Sequence, residues 1–141
     1  MTFAGINYLA VFIAGLAAFG FGAVFYLTLS RPWMNAMGWS AEQQAAHAKG
    51  AVNPGKTPFV ISIVANLIMA WVLAGLIGHM GEITVRSGLI SGAFAWLGFV
   101  ITTMSVNYGF GGREPMLTVI DGGHWLGVLL IMGAVIGAFG V

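Results

Sequence analysis

Four long apolar runs constrain the fold of this chain more than any other feature of its sequence. They cover about residues 6–29, 59–79, 87–107 and 116–140, and the first contains no charged residue. An α-helix needs about 20 predominantly apolar residues to cross the hydrocarbon core of a bilayer, and each run is long enough. Because a spanning segment must satisfy its own backbone polar groups, each run predicts a transmembrane helix.

The composition agrees with a membrane protein: 59% of the residues are hydrophobic and 6% are charged, and the mean hydropathy is +0.94. A soluble domain carries about 25% charged residues. We therefore predict an all-α, polytopic four-helix bundle that forms a single domain over residues 1–141. No Lys or Arg precedes the first run, so we expect it to be retained rather than cleaved as a signal peptide.

The one sizeable loop, residues 31–58, is predicted to carry a short surface helix near residues 41–49. Ser40 and Gln43 have the spacing of a capping box, and Gly50 stands where a C-cap glycine would. The basic residues on this side of the membrane are Arg31, Lys49, Lys56 and Arg113, against Arg86 alone on the other. By the positive-inside rule, we expect the loop in the cytoplasm and both termini in the periplasm of a bacterial inner membrane.

Four aromatic residues near span ends are predicted to anchor the chain in the headgroup region, where rings with a polar edge are favoured. They are Tyr26, Trp33, Trp39 and Tyr108. Each of the two tyrosines precedes an arginine by five residues, with a proline close behind. Either a duplicated two-helix unit or the ordinary preference of Tyr and Arg for the headgroup region would explain this likeness.

Asp121 and His124 are unusual in the fourth run, because ionisable groups inside spans are rare and often mark functional sites. If Pro115 begins the helix, Asp121 lies about 9 Å along it, near the edge of the hydrocarbon. His124 follows three residues later on the same helix face, within reach of a hydrogen bond to Asp121. The two side chains are therefore predicted to satisfy each other.

Two interpretations of this pair remain open. It is either a proton relay or ion site, or a structural clamp in which Asp121 also bonds a neighbour such as Asn107, Tyr108 or Arg31. We favour the clamp.

Asn66 is the polar residue nearest the middle of the second run, and an interhelical hydrogen bond, worth about 0.6 kcal/mol, is its simplest role. The candidate polar site consists of Asn66, Asn107, Asp121 and His124.

Glycines recur at four-residue spacing, a pattern that lets helix backbones approach closely. The pairs are Gly88 and Gly92, Gly123 and Gly127, and Gly133 and Gly137. Because the fourth run carries two of these pairs, we expect a homo-oligomer. Packing within one chain is the alternative explanation.

Short motifs are spread along the chain: NYLAV at 7–11, FY at 25–26, PWM at 32–34, NPGKTP at 53–58, WLGFV at 96–100, VNYGFGGR at 106–113 and IDGGHWLGVLLIMGAVIG at 120–137. In these motifs the chain resembles the bacterial family called domain of unknown function 1761, which comprises small integral membrane proteins with four helices. The resemblance implies the fold and the membrane location. It implies no assigned activity.

Three classes of function are compatible with these features. We rank first an oligomeric structural or accessory subunit whose partners are membrane lipids, further copies of the chain and a larger membrane complex. A transporter or channel for a proton, small ion or small solute, built on the candidate polar site, ranks second. An enzyme ranks last because no nucleophile accompanies the Asp-His pair. The sequence has no cysteine and a formal net charge of +1, so we expect no metal, no cofactor and no nucleic acid.

Overall fold

The structure is a computed structural model that describes residues 2–3, 5–51 and 53–140. Its elements in chain order are β1 Thr2–Phe3, β2 Ile6–Asn7, α1 Tyr8–Thr28, α2 Ser30–Ala36, α3 Ala41–Ala48, α4 Thr57–His79, α5 Val85–Ala95, α6 Ile101–Phe110 and α7 Pro115–Phe139. A π-helical turn at Trp96–Val100, called the π-turn below, joins α5 and α6 into one continuous helix.

Within the described residues, four helical stretches are long and apolar enough to cross a membrane. They are α1, α4, the combined stretch from α5 to α6, and α7. These stretches coincide with the four apolar runs. The predicted all-α, polytopic fold class is therefore confirmed.

The first helix begins slightly later than the apolar run. Ile6 and Asn7 pair with Thr2 and Phe3 in a short antiparallel hairpin, and α1 starts at Tyr8. The side chain of Asn7 accepts a hydrogen bond from the amide of Ala10 at 3.2 Å. Asn is a preferred N-cap residue because this bond satisfies a backbone donor that the helix leaves free.

The predicted surface helix is confirmed as α3. The Ser40 hydroxyl accepts from the Gln43 amide, and the Gln43 side chain accepts from the Ser40 amide, which completes the capping box. Gly50 follows the helix with φ of +70°, the left-handed conformation that ends many helices. Local sequence chemistry therefore sets both ends of α3.

Helix α7 lies at the centre of the bundle. Half of its apolar window is buried, against 11% for the span formed by α5 and α6. The largest fully buried side chains come from α4 and α7: Leu73, Ile77, Leu117, Val128 and Met132. The span of α5 and α6 consequently presents most of its surface outward.

Glycines bring α5 and α7 into direct backbone contact. A Cβ added to Gly88 would overlap the carbonyl oxygen of Gly133, and a Cβ added to Gly133 would overlap the carbonyl oxygen of Gly88. A Cβ on Gly92 would lie 2.6 Å from the carbonyl oxygen of Leu129. A Cβ added to Gly137 would likewise overlap the backbone of Thr84 and Val85 at the start of α5. The space for these close contacts exists only because each position lacks a side chain.

The remaining predicted pair faces α1. A Cβ on Gly127 would overlap the ring of Phe21, and one on Gly123 would lie 4.0 Å from the ring of Phe25. Five of the six predicted packing glycines thus pack against other parts of the same chain, whereas Gly123 is exposed. The five packed glycines give no support to an interface between copies, so the expected homo-oligomer needs other evidence.

Candidate functional site

Asp121 lies in the second turn of α7 with 7% of its surface exposed. Three side chains donate hydrogen bonds to its carboxylate. The Tyr26 hydroxyl donates to Oδ1 at 2.8 Å, the Trp33 indole N–H donates to Oδ1 at 3.1 Å, and the Tyr108 hydroxyl donates to Oδ2 at 2.9 Å. We call these three donors and their acceptor the aromatic clamp.

The fold brings the donors together because their elements meet at one end of the bundle. Tyr26 is in the last turn of α1, Trp33 is in α2, and Tyr108 is in the last turn of α6. These helices end, and α7 begins, on the side of the long loop, which we call the loop end. Tyrosine and tryptophan suit the position because each buries an apolar ring while its polar tip reaches a partner.

The clamp uses most of the hydrogen-bonding capacity of Asp121. An ionised carboxylate only accepts hydrogen bonds and offers about four lone-pair sites. Three such sites face the donors of the clamp. The arrangement therefore holds α1, α2 and α6 around the start of α7.

Sequence reasoning identified only part of this clamp. The contact between Asp121 and Tyr108 was among the predicted neighbours and is present. Tyr26 and Trp33 were predicted only as headgroup anchors, and their bonds to Asp121 were missed. The signal that could have found Tyr26 is its likeness to Tyr108, since both stand five residues before an arginine at a span end. Trp39, the remaining predicted anchor, packs its ring 5.9 Å from that of Trp33.

The predicted hydrogen bond between Asp121 and His124 is wrong. Nδ1 of His124 has no hydrogen-bond partner among the described residues. Its ring instead stacks nearly parallel to Phe21, at 6.2 Å between centroids, and lies 4.8 Å from Tyr26. Both residues do lie on α7, as predicted. Asp121, however, accepts hydrogen bonds from the aromatic donors of the clamp, and His124 packs against aromatic side chains of α1.

The predicted interhelical bond of Asn66 is also wrong. Its Nδ2 donates to the backbone carbonyl of Ser62, one turn earlier in the same helix, at 2.8 Å. Its Oδ1 has no partner among the described residues, although only 3% of the side chain is exposed. The amide orientation follows from chemistry, because only an N–H group can bond a carbonyl oxygen.

The four residues of the candidate polar site therefore do not converge. Asp121 lies in the aromatic clamp, and Asn107 is exposed on α6. Asn66 and His124 instead line one cavity of about 560 Å³ between α1, α4 and α7, which Ser30 of α2 and His47 of α3 also border. Its lining residues are Ala18, Phe19, Gly22, Ala23, Tyr26, Leu27, Ser30, His47, Pro58, Phe59, Ser62, Asn66, His124 and Trp125.

The π-turn also contacts α7 near Asp121. The indole N–H of Trp96, its first residue, donates to the backbone carbonyl of Gly122 at 2.8 Å. That carbonyl directly follows Asp121 in the chain, so the third span contacts the start of α7 through Trp96 as well as through Tyr108. Short π-helical turns inside α-helices are frequent at functional sites, and this one was not predicted from the sequence.

Among the described residues, no group of three or more His, Cys, Asp or Glu side chains could hold a metal ion.

The four long apolar helices define the class of the molecule: a polytopic α-helical membrane protein. The family model described as "Protein of unknown function (DUF1761)" matches residues 9–137, which is nearly the whole chain. The chain belongs to that family, as its motifs led us to expect. No curated protein and no solved structure matches it.

Proposed function

We propose that the protein is an oligomeric structural or accessory subunit of a bacterial inner membrane, with both termini in the periplasm and no catalytic step. The observation that carries this proposal is a group of exposed polar side chains on α6, which lie among the exposed apolar side chains of Val106 and Phe110. Four residues of α6 are both polar and exposed: Thr102, Thr103, Ser105 and Asn107. The exposed side chains of α4 are by contrast mostly apolar, as lipid contact requires.

Two of these polar residues form no side-chain hydrogen bond with any other residue that the structure describes. The hydroxyls of Thr102 and Ser105 donate to carbonyls one turn earlier in the same helix, at 2.9 and 2.7 Å. Thr103 and Asn107 form no such bond in the described part of the chain. They are four residues apart and share one face of α6. Because an unpaired polar group is costly in lipid, this face favours contact with another protein chain.

A second copy of the same chain is the partner that this face fits. The Asn107 amide contains both a donor and an acceptor, so two copies related by a two-fold axis can bond each other at this position. The outward exposure of the α5 and α6 span leaves room for that contact. The proposed dimer therefore buries the unpaired polar groups without needing a different partner, and a larger membrane complex would assemble around it.

The transport alternative receives less support. It requires Asn66, Asn107, Asp121 and His124 to line one path, yet Asp121 and Asn107 are not among the residues that line the cavity. The carboxylate of Asp121 is occupied by the clamp rather than directed at a passing ion. A structural role for Asp121 agrees with both observations.

Disulfide crosslinking tests the proposed dimer without background, because the natural sequence contains no cysteine. Single variants Thr103→Cys and Asn107→Cys are oxidised in native membranes. Val64→Cys serves as the matched control, since Val64 is 49% exposed on the apolar face of α4. We expect dimer bands from the two α6 variants and monomer from the control.

Monomer from all three variants would overturn the proposal of a dimer through α6. A crosslink of the α6 variants to a protein of another size would replace the homodimer with a different partner.

A further inference from the structure

We propose that the cavity between α1, α4 and α7 holds one acyl chain of an anionic phospholipid, whose headgroup lies at the loop end of the cavity. That end of the lining, which we call the mouth, is formed by Ser30, His47 and Pro58. The inference is independent of the proposed dimer, because the lining residues belong to helices other than α6.

The cavity has about the depth of one bilayer leaflet. Its lining extends along α1 from Leu27 to Ala18 and along α4 from Pro58 to Asn66. At 1.5 Å per residue these two stretches are about 12–14 Å long. Half of a hydrocarbon core of roughly 30 Å has nearly the same thickness. An acyl chain that starts at the mouth can therefore follow the cavity to the middle of the bilayer.

The walls below the mouth suit a hydrocarbon chain. Phe19, Ala23 and Trp125 line this part of the cavity. Leu27 and Phe59 also border it and are 77% and 55% exposed, so the cavity is open toward lipid between α1 and α4. An acyl chain can therefore enter sideways from the bilayer without leaving an apolar environment.

The polar side chains below the mouth do not require a polar ligand. Nδ2 of Asn66 donates to the backbone carbonyl of Ser62 in the same helix, at 2.8 Å. Oδ1 of Asn66 and Nδ1 of His124 are buried atoms, so protein atoms rather than an occupant surround them. A polar ligand would find few partners at this depth.

The mouth differs from the walls because it offers hydrogen-bond donors. Ser30 contributes a hydroxyl and the exposed His47 contributes an imidazole, and both groups can donate to a phosphate oxygen. The ring of Trp39 lies 5.6 Å from that of His47, and tryptophan is enriched at the level of the lipid headgroups. Apolar walls below a polar mouth match the two parts of a phospholipid.

Three exposed cations flank the mouth and favour a negatively charged headgroup. Arg31, Lys49 and Lys56 each stand within two residues of a residue that forms the mouth, so their backbones lie within about 8 Å of it. The acid nearest to the mouth in the sequence is Glu42, five residues before His47. Clusters of Lys and Arg beside a membrane span attract anionic lipids, and this cluster stands where the cavity opens.

Other occupants fit the cavity less well. A zwitterionic phospholipid brings a positive charge of its own to the three cations, so it gains less from them. A hydrocarbon chain without a headgroup leaves the donors of the mouth unused. A free phosphate ion leaves the apolar walls without an occupant.

Native mass spectrometry of the full chain, released from lipid nanodiscs, tests the proposal by counting the lipids that stay bound. The nanodiscs contain equal amounts of phosphatidylglycerol and phosphatidylcholine with the same acyl chains. We expect one phosphatidylglycerol to be retained per chain, with a preference of about tenfold over phosphatidylcholine.

Charge variants locate the headgroup. In the double variant Lys49→Gln and Lys56→Gln the preference for phosphatidylglycerol is expected to shrink toward one. Arg113→Gln is the matched control, because Arg113 is an exposed cation at the same end of the bundle but in the connection between α6 and α7. This control is expected to retain the full preference.

A second pair of variants locates the acyl chain. Ala23 is exposed and lines the cavity, so Ala23→Trp should fill the space and reduce the retention of phosphatidylglycerol at least about tenfold. Ala17 is also exposed on α1 but does not line the cavity, and Ala17→Trp is expected to retain the lipid as the natural chain does.

Equal retention of the two lipids by the natural chain would overturn the proposed selection of an anionic headgroup. A preference that Arg113→Gln removes as completely as the double lysine variant would overturn the assignment of the headgroup to the mouth. Full retention by Ala23→Trp would overturn the placement of the acyl chain in the cavity.

Discussion

The hydroxyl of Tyr108 donates to Oδ2 of Asp121 at 2.9 Å and so ties the end of α6 to the beginning of α7. Only 13 residues separate the two positions, and the turn between the helices brings them to the same end of the bundle. Tyr26 makes the equivalent bond to the other carboxylate oxygen from α1. A single acid therefore connects two helix ends that lie 82 residues apart in the sequence.

Removing one hydroxyl of the clamp is expected to weaken the fold. Tyr26→Phe and Tyr108→Phe should each lower the free energy of unfolding by about 0.5–1.5 kcal/mol, because each removes one donor and keeps the ring. The measurement is unfolding in a denaturing detergent titration. Tyr8→Phe is the matched control, since Tyr8 is 41% exposed at the start of α1, and an equal loss in that variant would contradict the clamp.

The backbone contact between α5 and α7 should not tolerate a single methyl group. We expect Gly88→Ala to cost about 1–3 kcal/mol or more of unfolding free energy, because a carbonyl oxygen of α7 cannot move away as a flexible side chain can. Gly20→Ala, with open space around its Cβ in α1, should leave stability unchanged or raise it slightly. The same titration compares the two, and a Gly88→Ala variant as stable as the natural chain would argue against this packing.

The π-turn should depend on the indole of Trp96. Trp96→Phe keeps an aromatic ring but removes the bond to the carbonyl of Gly122, so we expect a loss of about 1 kcal/mol. Amide hydrogen exchange should also rise around residues 96–101. Trp71→Phe provides the comparison because Trp71 is 50% exposed on α4. Unchanged exchange in the third span of Trp96→Phe would count against the proposed support.

The spans and the surface helix were predictable because their signals are local. A long apolar run and a capping box act within one segment, so no knowledge of the neighbours is needed to place α1, α3, α4 and α7. The π-turn left no such signal. Its Trp96 is held by a carbonyl 26 residues away, and the sequence does not reveal that contact.

The candidate site was predicted less well, because helical spacing gives the face of a residue but not its partner. Asp121 and His124 were correctly placed in one span, yet their bond to each other does not form. Asp121 is instead bonded by residues up to 95 positions away. The glycines show the same limit, since four-residue spacing indicates a close contact without indicating whether α5 or another copy of the chain fills it.

Asp121 is assigned a structural role, and Asp121→Asn in proteoliposomes with a pH-sensitive dye inside tests that role most directly. The replacement keeps the size of the side chain but turns one acceptor into a donor, so we expect it to lower the unfolding free energy by about 1–3 kcal/mol. Proton flux should equal that of protein-free liposomes for both the natural chain and the variant. Flux through the natural chain that Asp121→Asn abolishes, with stability unchanged, would contradict the account.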